Sequence, residues 1–237
     1  MAKKIISIVV CGGLGKMGLK VIEQIKTNSG FSLAGAVDLK ESASVKPASA
    51  FSGLIKNADV AVDFSAPSAS VMFARHCAEA RKPVVIGATG FSGAQMEEIK
   101  KISVGIAVFL SPNMSPAVNL TFAVSRFMAG KLPDFDIHVT ETHHKMKKDS
   151  PSGTALKYVI CMKSVTDREI PVASIRAGDV VGDHTILFAG PHERVELTHR
   201  AHSRDVFAAG ALRAAEWIVK QQNGLYDYQD MLGLKNL

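Results

Sequence analysis

The chain carries two rhythms of apolar and polar positions, and the change between them falls near residue 115. In the first part, short continuous apolar runs alternate with helically spaced ones. Residues 5–10 (IISIVV) form a β-branched run, the pattern of a strand covered on both faces. Glycines follow, and then Met17, Val21, Ile22 and Ile25 keep the spacing of one helix face. Residues 32–38 (SLAGAVD) predict a second strand ending at Asp38. Residues 59–64 predict a third, and residues 68–82 a helix with Ser68 or Ser70 as its N-cap. A fourth strand is expected over 83–89, a helix over 92–102 and a fifth strand over 105–110. From Leu39 to Asn57 the pattern is weak, and mostly loop is expected. Five alternations of strand and helix predict an α/β fold with a parallel sheet.

After SPNMSP (111–116) the order changes. A long helix is expected over 117–130, a strand over 134–141 and a helix over 153–165. Three strands then follow without intervening helices, over 173–178, 185–190 and 194–201. Clustered strands predict an α+β domain with a mixed or antiparallel sheet. The expected boundary lies at Asn113–Pro116, giving a first domain of 1–114 and a second of 115–204. A closing helical segment, 205–237, is expected to pack back on the first domain.

Composition narrows the class. A chain of 237 residues with 47% hydrophobic positions and mixed charge predicts a globular protein. No apolar run approaches the roughly 20 residues of a membrane span. The opening MAKKIISIVV is too short and too β-branched for a leader peptide, so a cytoplasmic protein with no membrane partner is expected. Cys11, Cys77 and Cys161 are far apart and odd in number, which suits reduced thiols. The net charge of +6 suggests anionic ligands, or simply a lysine-rich solvated surface. With 6% aromatics and no nucleic-acid motif, nucleic acid is not an expected partner.

The first candidate site is GGLGKMG, with Gly12, Gly15 and Gly18 in G-x-x-G-x-x-G spacing between a strand and a helix. Such a turn brings backbone N–H groups to a pyrophosphate at a helix N-terminus. Asp38 ends the next strand and is placed to accept hydrogen bonds from a ribose. A turn kept for packing alone is the plain alternative. The loops GATG (87–90) and SPNMS (111–115) end the fourth and fifth strands, where a cofactor crosses the carboxyl edge of such a sheet.

The second is ETHHKMKKDSPSGTAL, residues 141–156. A metal site at His138, His143 and His144 fits poorly, since neighbours in an extended segment point to opposite sides and no zinc spacing is present. No metal is expected. SPSGT reads instead as a helix start with Ser152 of a capping type and Gly153 permitting close approach. The amides of Gly153 and Thr154 and the Thr154 hydroxyl can hold a carboxylate. The upstream cations add donors, and Lys147 or His143 can deliver a proton. A solvated basic loop is the plain alternative. Together the two sites suggest reduction of a small acid.

GGLGKMG, VVIGATGF, SPNMS, ETHHKMKKDSPSGTAL and IRAGDVVGDHTILF…THRAHSR occur in this order in the 4-hydroxy-tetrahydrodipicolinate (dihydrodipicolinate) reductases, which the chain resembles over essentially its whole length. The E-x-H-H-x-x-K-x-D-x-P-S-G-T-A string is the most specific of these. The resemblance implies a Rossmann domain, a substrate and tetramerisation domain, and a homotetramer. It implies hydride transfer from NADH or NADPH to C4 of a cyclic imine in lysine and diaminopimelate biosynthesis. By that resemblance His143 and Lys147 are the catalytic pair. His144, Ser152, Gly153 and Thr154 hold the dicarboxylate substrate, with Arg204 a further anion contact. Gly12, Gly13, Leu14, Gly15, Lys16, Met17, Gly18, Asp38, Lys40, Gly87, Ala88, Thr89, Ser111, Pro112, Asn113 and Met114 match cofactor positions.

The family usually has Arg where Lys16 stands, Thr where Ala88 stands and often Phe where Met114 stands. The 39–57 stretch is short for it. These departures bear on the coenzyme. Asp38 favours the free ribose of NADH, and Leu39 stands where many members place an arginine for the 2′-phosphate. Lys16 and Lys40 remain as point charges, so use of both coenzymes is expected, with NADH at least as good. The alternatives are a nucleotide sensor without catalysis, or another imine or aldehyde reductase. A sensor would have no use for His143, Lys147 and the Ser-Gly-Thr start together.

Overall fold

The structure, a computed structural model, describes residues 4–235; the expected domain limits at 1 and 237 lie outside them. The chain forms two compact units. One holds the residues up to Met114 together with Asp205–Met231. The other holds Ser115–Arg204 and the residues from Leu232 on.

The first unit is built on β1 (Ile6–Cys11), α1 (Lys16–Thr27), β2 (Phe31–Asp38), β3 (Lys46–Pro47), α2 (Phe51–Lys56), β4 (Val60–Asp63), α3 (Pro67–Glu79), β5 (Val84–Ile86), α4 (Gly93–Ser103) and β6 (Ala107–Leu110). Its sheet has seven strands in the order β11-β6-β5-β4-β1-β2-β3, where β11 is Gly224–Tyr226. Every pairing is parallel. Alternation along β1 sorts the core: Ile8 and Val10 face one cluster with Val21, Ile25 and Phe109. Val9 and Cys11 face the other, with Phe51, Ile55 and Phe73. The strand order reverses between β1 and β4, which puts the ligand crevice of such a sheet at the end of β1.

Three expectations are corrected here. The 39–57 stretch is not mostly loop: it holds β3, a 3₁₀ turn at Ala48–Ala50 and α2. Phe51 and Ile55 are fully buried from one face of α2, worth about 1.5–3 kcal/mol each, which lets so short a helix stand. The cap of α3 is Ala66, followed by Pro67, and not Ser68 or Ser70; Ser70 is buried inside the helix. The closing segment is not one helix. α7 (Asp205–Ile218) stops, β11 joins the edge of the sheet beside β6, and α8 (Tyr228–Met231) follows. Here α7 crowds the loop after β6. A Cβ on Gly210 would lie 1.7 Å from the Met114 carbonyl oxygen, to which Tyr228 Oη donates at 2.8 Å.

The second unit has α5 (Pro116–Lys131), β7 (Asp136–His143), α6 (Gly153–Lys163), β8 (Val172–Arg176), β9 (Asp183–Ala189) and β10 (Arg194–Arg200). The four strands form one sheet in the order β10-β9-β7-β8. It is mixed, with β7 parallel to β8 and antiparallel to β9. One face supplies Ile137, Val139, Ile186 and Phe188 to a core with Phe122, Tyr158 and Met162 of α5 and α6. The other carries transverse rows such as His138–Leu187–Glu196 and Thr140–Thr185–Thr198.

Candidate active site

The glycine turn in the first unit is shaped by close backbone packing. Gly12 has φ +76°, and a Cβ there would lie 2.7 Å from the Phe64 carbonyl oxygen. A Cβ on Gly18 would lie 2.0 Å from the Gly12 oxygen, so α1 sits directly on the turn. Gly12 and Gly13 both donate to the Val37 carbonyl at 3.0 Å. Gly15 caps α1 with no side-chain hydrogen bond, and the first-turn amides of a helix that starts in this way are where an anion binds. Asp38 is tied to the same turn: Leu14 N–H donates to Oδ2 at 2.9 Å and Leu39 N–H to Oδ1 at 2.7 Å.

Beside this turn lies a pocket of about 270 Å³ lined by Gly12, Gly15, Asp38, Phe64, Ala66 and Met72, among others. The Phe64–Ala66 wall was missed in the sequence, although it directly follows a strand end. Its shape comes from Asp63, fully buried at the end of β4, whose Oδ1 accepts from Ser65 N–H at 2.8 Å. Burial raises the pKa of this carboxyl. Gly87 makes room for the Phe64 ring: a Cβ there would stand 2.3 Å from Cε1. Ala88 is buried and Thr89 exposed. Ser111 Oγ donates to the Asn113 carbonyl at 2.8 Å, folding the loop of which Pro112 is the exposed point. Met17 is half-buried in α1, while Lys16 and Lys40 are exposed and do not line the pocket. The turn, the Asp38 carboxylate and the pocket fit a dinucleotide.

In the second unit, alternation along β7 turns Glu141 and His143 to the buried face. His143 Nδ1 meets Glu141 Oε2. The Arg176 guanidinium, from β8, spans both Glu141 oxygens at 3.0 and 2.8 Å. Ser152 N–H donates to Glu141 Oε1 at 3.2 Å. Burial opposes ionisation of Glu141, but hydrogen bonds led by Arg176 outweigh it and hold its pKa at about 2. Burial pushes the His143 pKa down against the pull of Glu141, and burial takes His184 down to about 3.

Ser152 caps α6: its Oγ accepts from Ala155 N–H at 3.2 Å and lies 3.2 Å from His184 Nε2. The hydroxyl is thus committed to holding the helix start. Gly153 is exposed with open space where a Cβ would stand, and Thr154 follows it in the first turn of α6. His144 is half-buried at the loop's start, and its carbonyl accepts from Lys147 N–H at 3.0 Å. Lys147 Nζ pairs with Asp149 at 2.8 Å. Arg204 is half-buried in the turn before α7, and none of these bonds joins it to the cluster. His138 lies on the opposite sheet face from His143, and no group of metal-binding side chains is present among the described residues. Glu141, Arg176 and His184 received no role from the sequence. Glu141 was the legible one, two residues before His143 on one strand face.

Residues 6–114 match the family model for the dihydrodipicolinate reductase N-terminus, and residues 117–232 the model for its C-terminus. The chain belongs to the dihydrodipicolinate reductase family. Family members named 4-hydroxy-tetrahydrodipicolinate reductase include one from Syntrophus aciditrophicus, 39% identical over 264 residues, with 96% of this chain and 98% of that one covered. Another, from Aquifex aeolicus, is 40% identical over 263 residues, covering 97% and 99%. Both alignments are longer than this chain, so these relatives carry residues that it lacks. Among solved structures, a dipicolinate-bound dihydrodipicolinate reductase from Paenisporosarcina sp. TG-14 superposes with a TM-score of 0.81 at 22% identity, over 96% of this chain and 99% of that one. This shared fold agrees with the parallel sheet and separate mixed sheet described above. No helix among the described residues is long and apolar enough to cross a membrane.

Proposed function

We propose that this chain reduces the cyclic imine derived from 4-hydroxy-tetrahydrodipicolinate to tetrahydrodipicolinate, a step of lysine and diaminopimelate biosynthesis. The observation that carries the reading is the cluster at the start of α6. There the buried Glu141 carboxylate holds His143 and the amide of Ser152, the residue that caps α6 before Gly153 and Thr154, and Lys147 is held in the same loop by Asp149. The dicarboxylate bound by the Paenisporosarcina relative is the kind of ligand that such a cluster suits. The reaction consumes one imine, one reduced nicotinamide and one proton, and yields tetrahydrodipicolinate and oxidised nicotinamide. A bound nicotinamide supplies the hydride, which is added at C4.

This chain's residues do the rest. Gly153, Thr154 and His144 hold the substrate carboxylates, using the amides and dipole of a helix start. His143 and Lys147 act as one proton-donating pair, the ammonium giving the proton to the substrate and the imidazolium replacing it, and a substrate carboxylate competes with Asp149 for that ammonium. Two substrate carboxylates beside His143 raise its lowered pKa, so binding itself helps to charge the imidazole. Arg204 is assigned to the substrate as a further cation.

For the coenzyme we assign dual use, with NADH at least as good as NADPH. Asp38 lines the pocket with its carboxylate fixed by the Leu14 and Leu39 amides, and Leu39, where a phosphate-binding guanidinium would stand, is 88% exposed. Lys16 and Lys40 offer only solvated point charges. We also assign a cytoplasmic homotetramer; the half-buried threonine and leucine rows on the outer face of the second sheet support association through that face.

The test is oxidation of each coenzyme in the presence of substrate made by a coupled synthase, at two ionic strengths. Turnover with both is expected, with salt hurting NADPH more. Pyridine-2,6-dicarboxylate should compete with substrate. No turnover with either coenzyme would refute the activity. A preference for NADPH above about tenfold, or roughly 1.4 kcal/mol, would refute the coenzyme assignment alone.

A further inference from the structure

We infer that Glu141 and Arg176 are positioning residues for the proton transfer, and that they leave Nε2 of His143 as the nitrogen that exchanges a proton. The inference rests on the reading above, since it specifies which atom acts in that reaction.

Glu141 has no exposed surface, yet it meets three different parts of the site. Oε2 meets Nδ1 of His143. Oε1 accepts from the N–H of Ser152, the residue that caps α6 and so sets where Gly153 and Thr154 stand. Arg176 spans both oxygens and also donates from Nη2 to the Asp149 carbonyl at 2.6 Å. Asp149 in turn holds Lys147. Imidazole, ammonium and carboxylate cradle are thus all referenced to one ion pair.

The carboxylate's charge then fixes a tautomer. An ionised Glu141 can only accept hydrogen bonds. Nδ1 of His143 must therefore carry its hydrogen whether the ring is neutral or charged. The proton that comes and goes sits on Nε2. That nitrogen lies beside Gly182, where a Cβ would stand 3.0 Å from it, so any larger residue at 182 would crowd it. The charged groups around the ring are Glu141 and Asp149, which favour the imidazolium, and Lys147 and Arg176, which disfavour it. The His184 ring lies 5.2 Å off, centroid to centroid, and is kept neutral by burial. An ion pair serving the fold alone would leave the tautomer and the pH dependence of catalysis untouched by its loss.

Nitrogen-15 NMR of the full-length protein reads the tautomer, with His143→Asn to assign the signal. The Nδ1–H form is expected in the wild type, and a weakened preference in Glu141→Gln. In kinetics, Glu141→Gln should lower kcat by roughly 10²–10⁴-fold. The descending alkaline limb of kcat/KM should move to lower pH in Glu141→Gln and to higher pH in Arg176→Gln. The two changes remove charges of opposite sign from beside the imidazole. NADH binding, followed by fluorescence, should stay at the wild-type value and report the first unit, while the amide spectrum of residues 115–204 in the same NMR samples reports that the second unit of each variant is folded. If Glu141→Gln does not fold, the wild-type tautomer and the Arg176→Gln limb decide. An Nε2–H tautomer in the wild type, or limbs that stay in place while rates fall, would overturn the inference. A wild type with the Nδ1–H form but no turnover would instead overturn the assigned reaction.

Discussion

The two sites are built from opposite materials. The nucleotide site of the first unit is a backbone construction, in which Gly12 and Gly18 matter for the atoms they lack. The site of the second unit is a side-chain construction, in which Glu141, Arg176, His143 and Ser152 matter for the bonds they make. The first can be damaged by adding a methyl group. The second is damaged by removing a charge, because each partner left behind in the interior loses its compensation.

The contrast is broken most sharply at Lys147. Lys147→Ala should lower kcat by roughly 10²–10⁴-fold if the ammonium gives the proton, with coenzyme affinity unchanged. A loss confined to KM would reassign the residue to ground-state binding. Next in size is Gly18→Ala. The added Cβ would stand 2.0 Å from a carbonyl oxygen of the turn, and relieving such overpacking costs about 1–3 kcal/mol. NADH affinity should fall roughly five- to 150-fold, while ligand binding confined to the second unit persists. An unchanged dissociation constant would show that α1 can move at no cost.

The smallest effect concerns pH. His184 has a folded pKa of about 3 against an ordinary 6.5, set by burial. Between those values the unfolded chain binds a proton that the folded chain refuses. Stability should therefore fall as pH drops through that window, by at most about 1.4 kcal/mol per unit. His143, lowered in the same direction, adds to the fall. Glu141 stays ionised down to about 2, so its contribution is lost only as pH drops below the ordinary carboxylate range. Denaturant titrations at about pH 7 and about pH 5 should show the decline, and His184→Asn should flatten it. A flat wild-type curve would mean that His184 is solvated in the folded state.

The same contrast explains what could be read in the chain. Continuous apolar runs and helical spacing mark the strands and helices of a doubly wound sheet, because burial on both faces imposes them. The glycine turn is legible for the same reason: its chemistry is local. What escaped was either too short or too distant. α2 offers only Phe51 and Ile55 as a helical pair, and β11 has three residues whose pairing with β6 comes from across the fold. Arg176 meets Glu141 from another strand, 35 residues away, and no periodicity announces a polar partner. The basic loop was legible as a concentration of charge, but not the buried carboxylate that organises it.

The route of the chain has a consequence for its biogenesis. α7 packs on α1 and over β4, β5 and β6, and β11 covers the open edge of β6. Both are made last, after the entire 115–204 segment. A nascent chain that has emerged as far as Met114 holds six of the seven strands and α1, but leaves the part of that apolar face around Val62, Val85 and Phe109 without its α7 cover. At typical synthesis rates that exposure lasts on the order of ten seconds. The second unit is nearly contiguous in sequence and can collapse as it emerges. The nucleotide-binding unit thus completes its sheet and its helical cover only when its closing segment arrives, after the second unit's sequence up to Arg204 has been made.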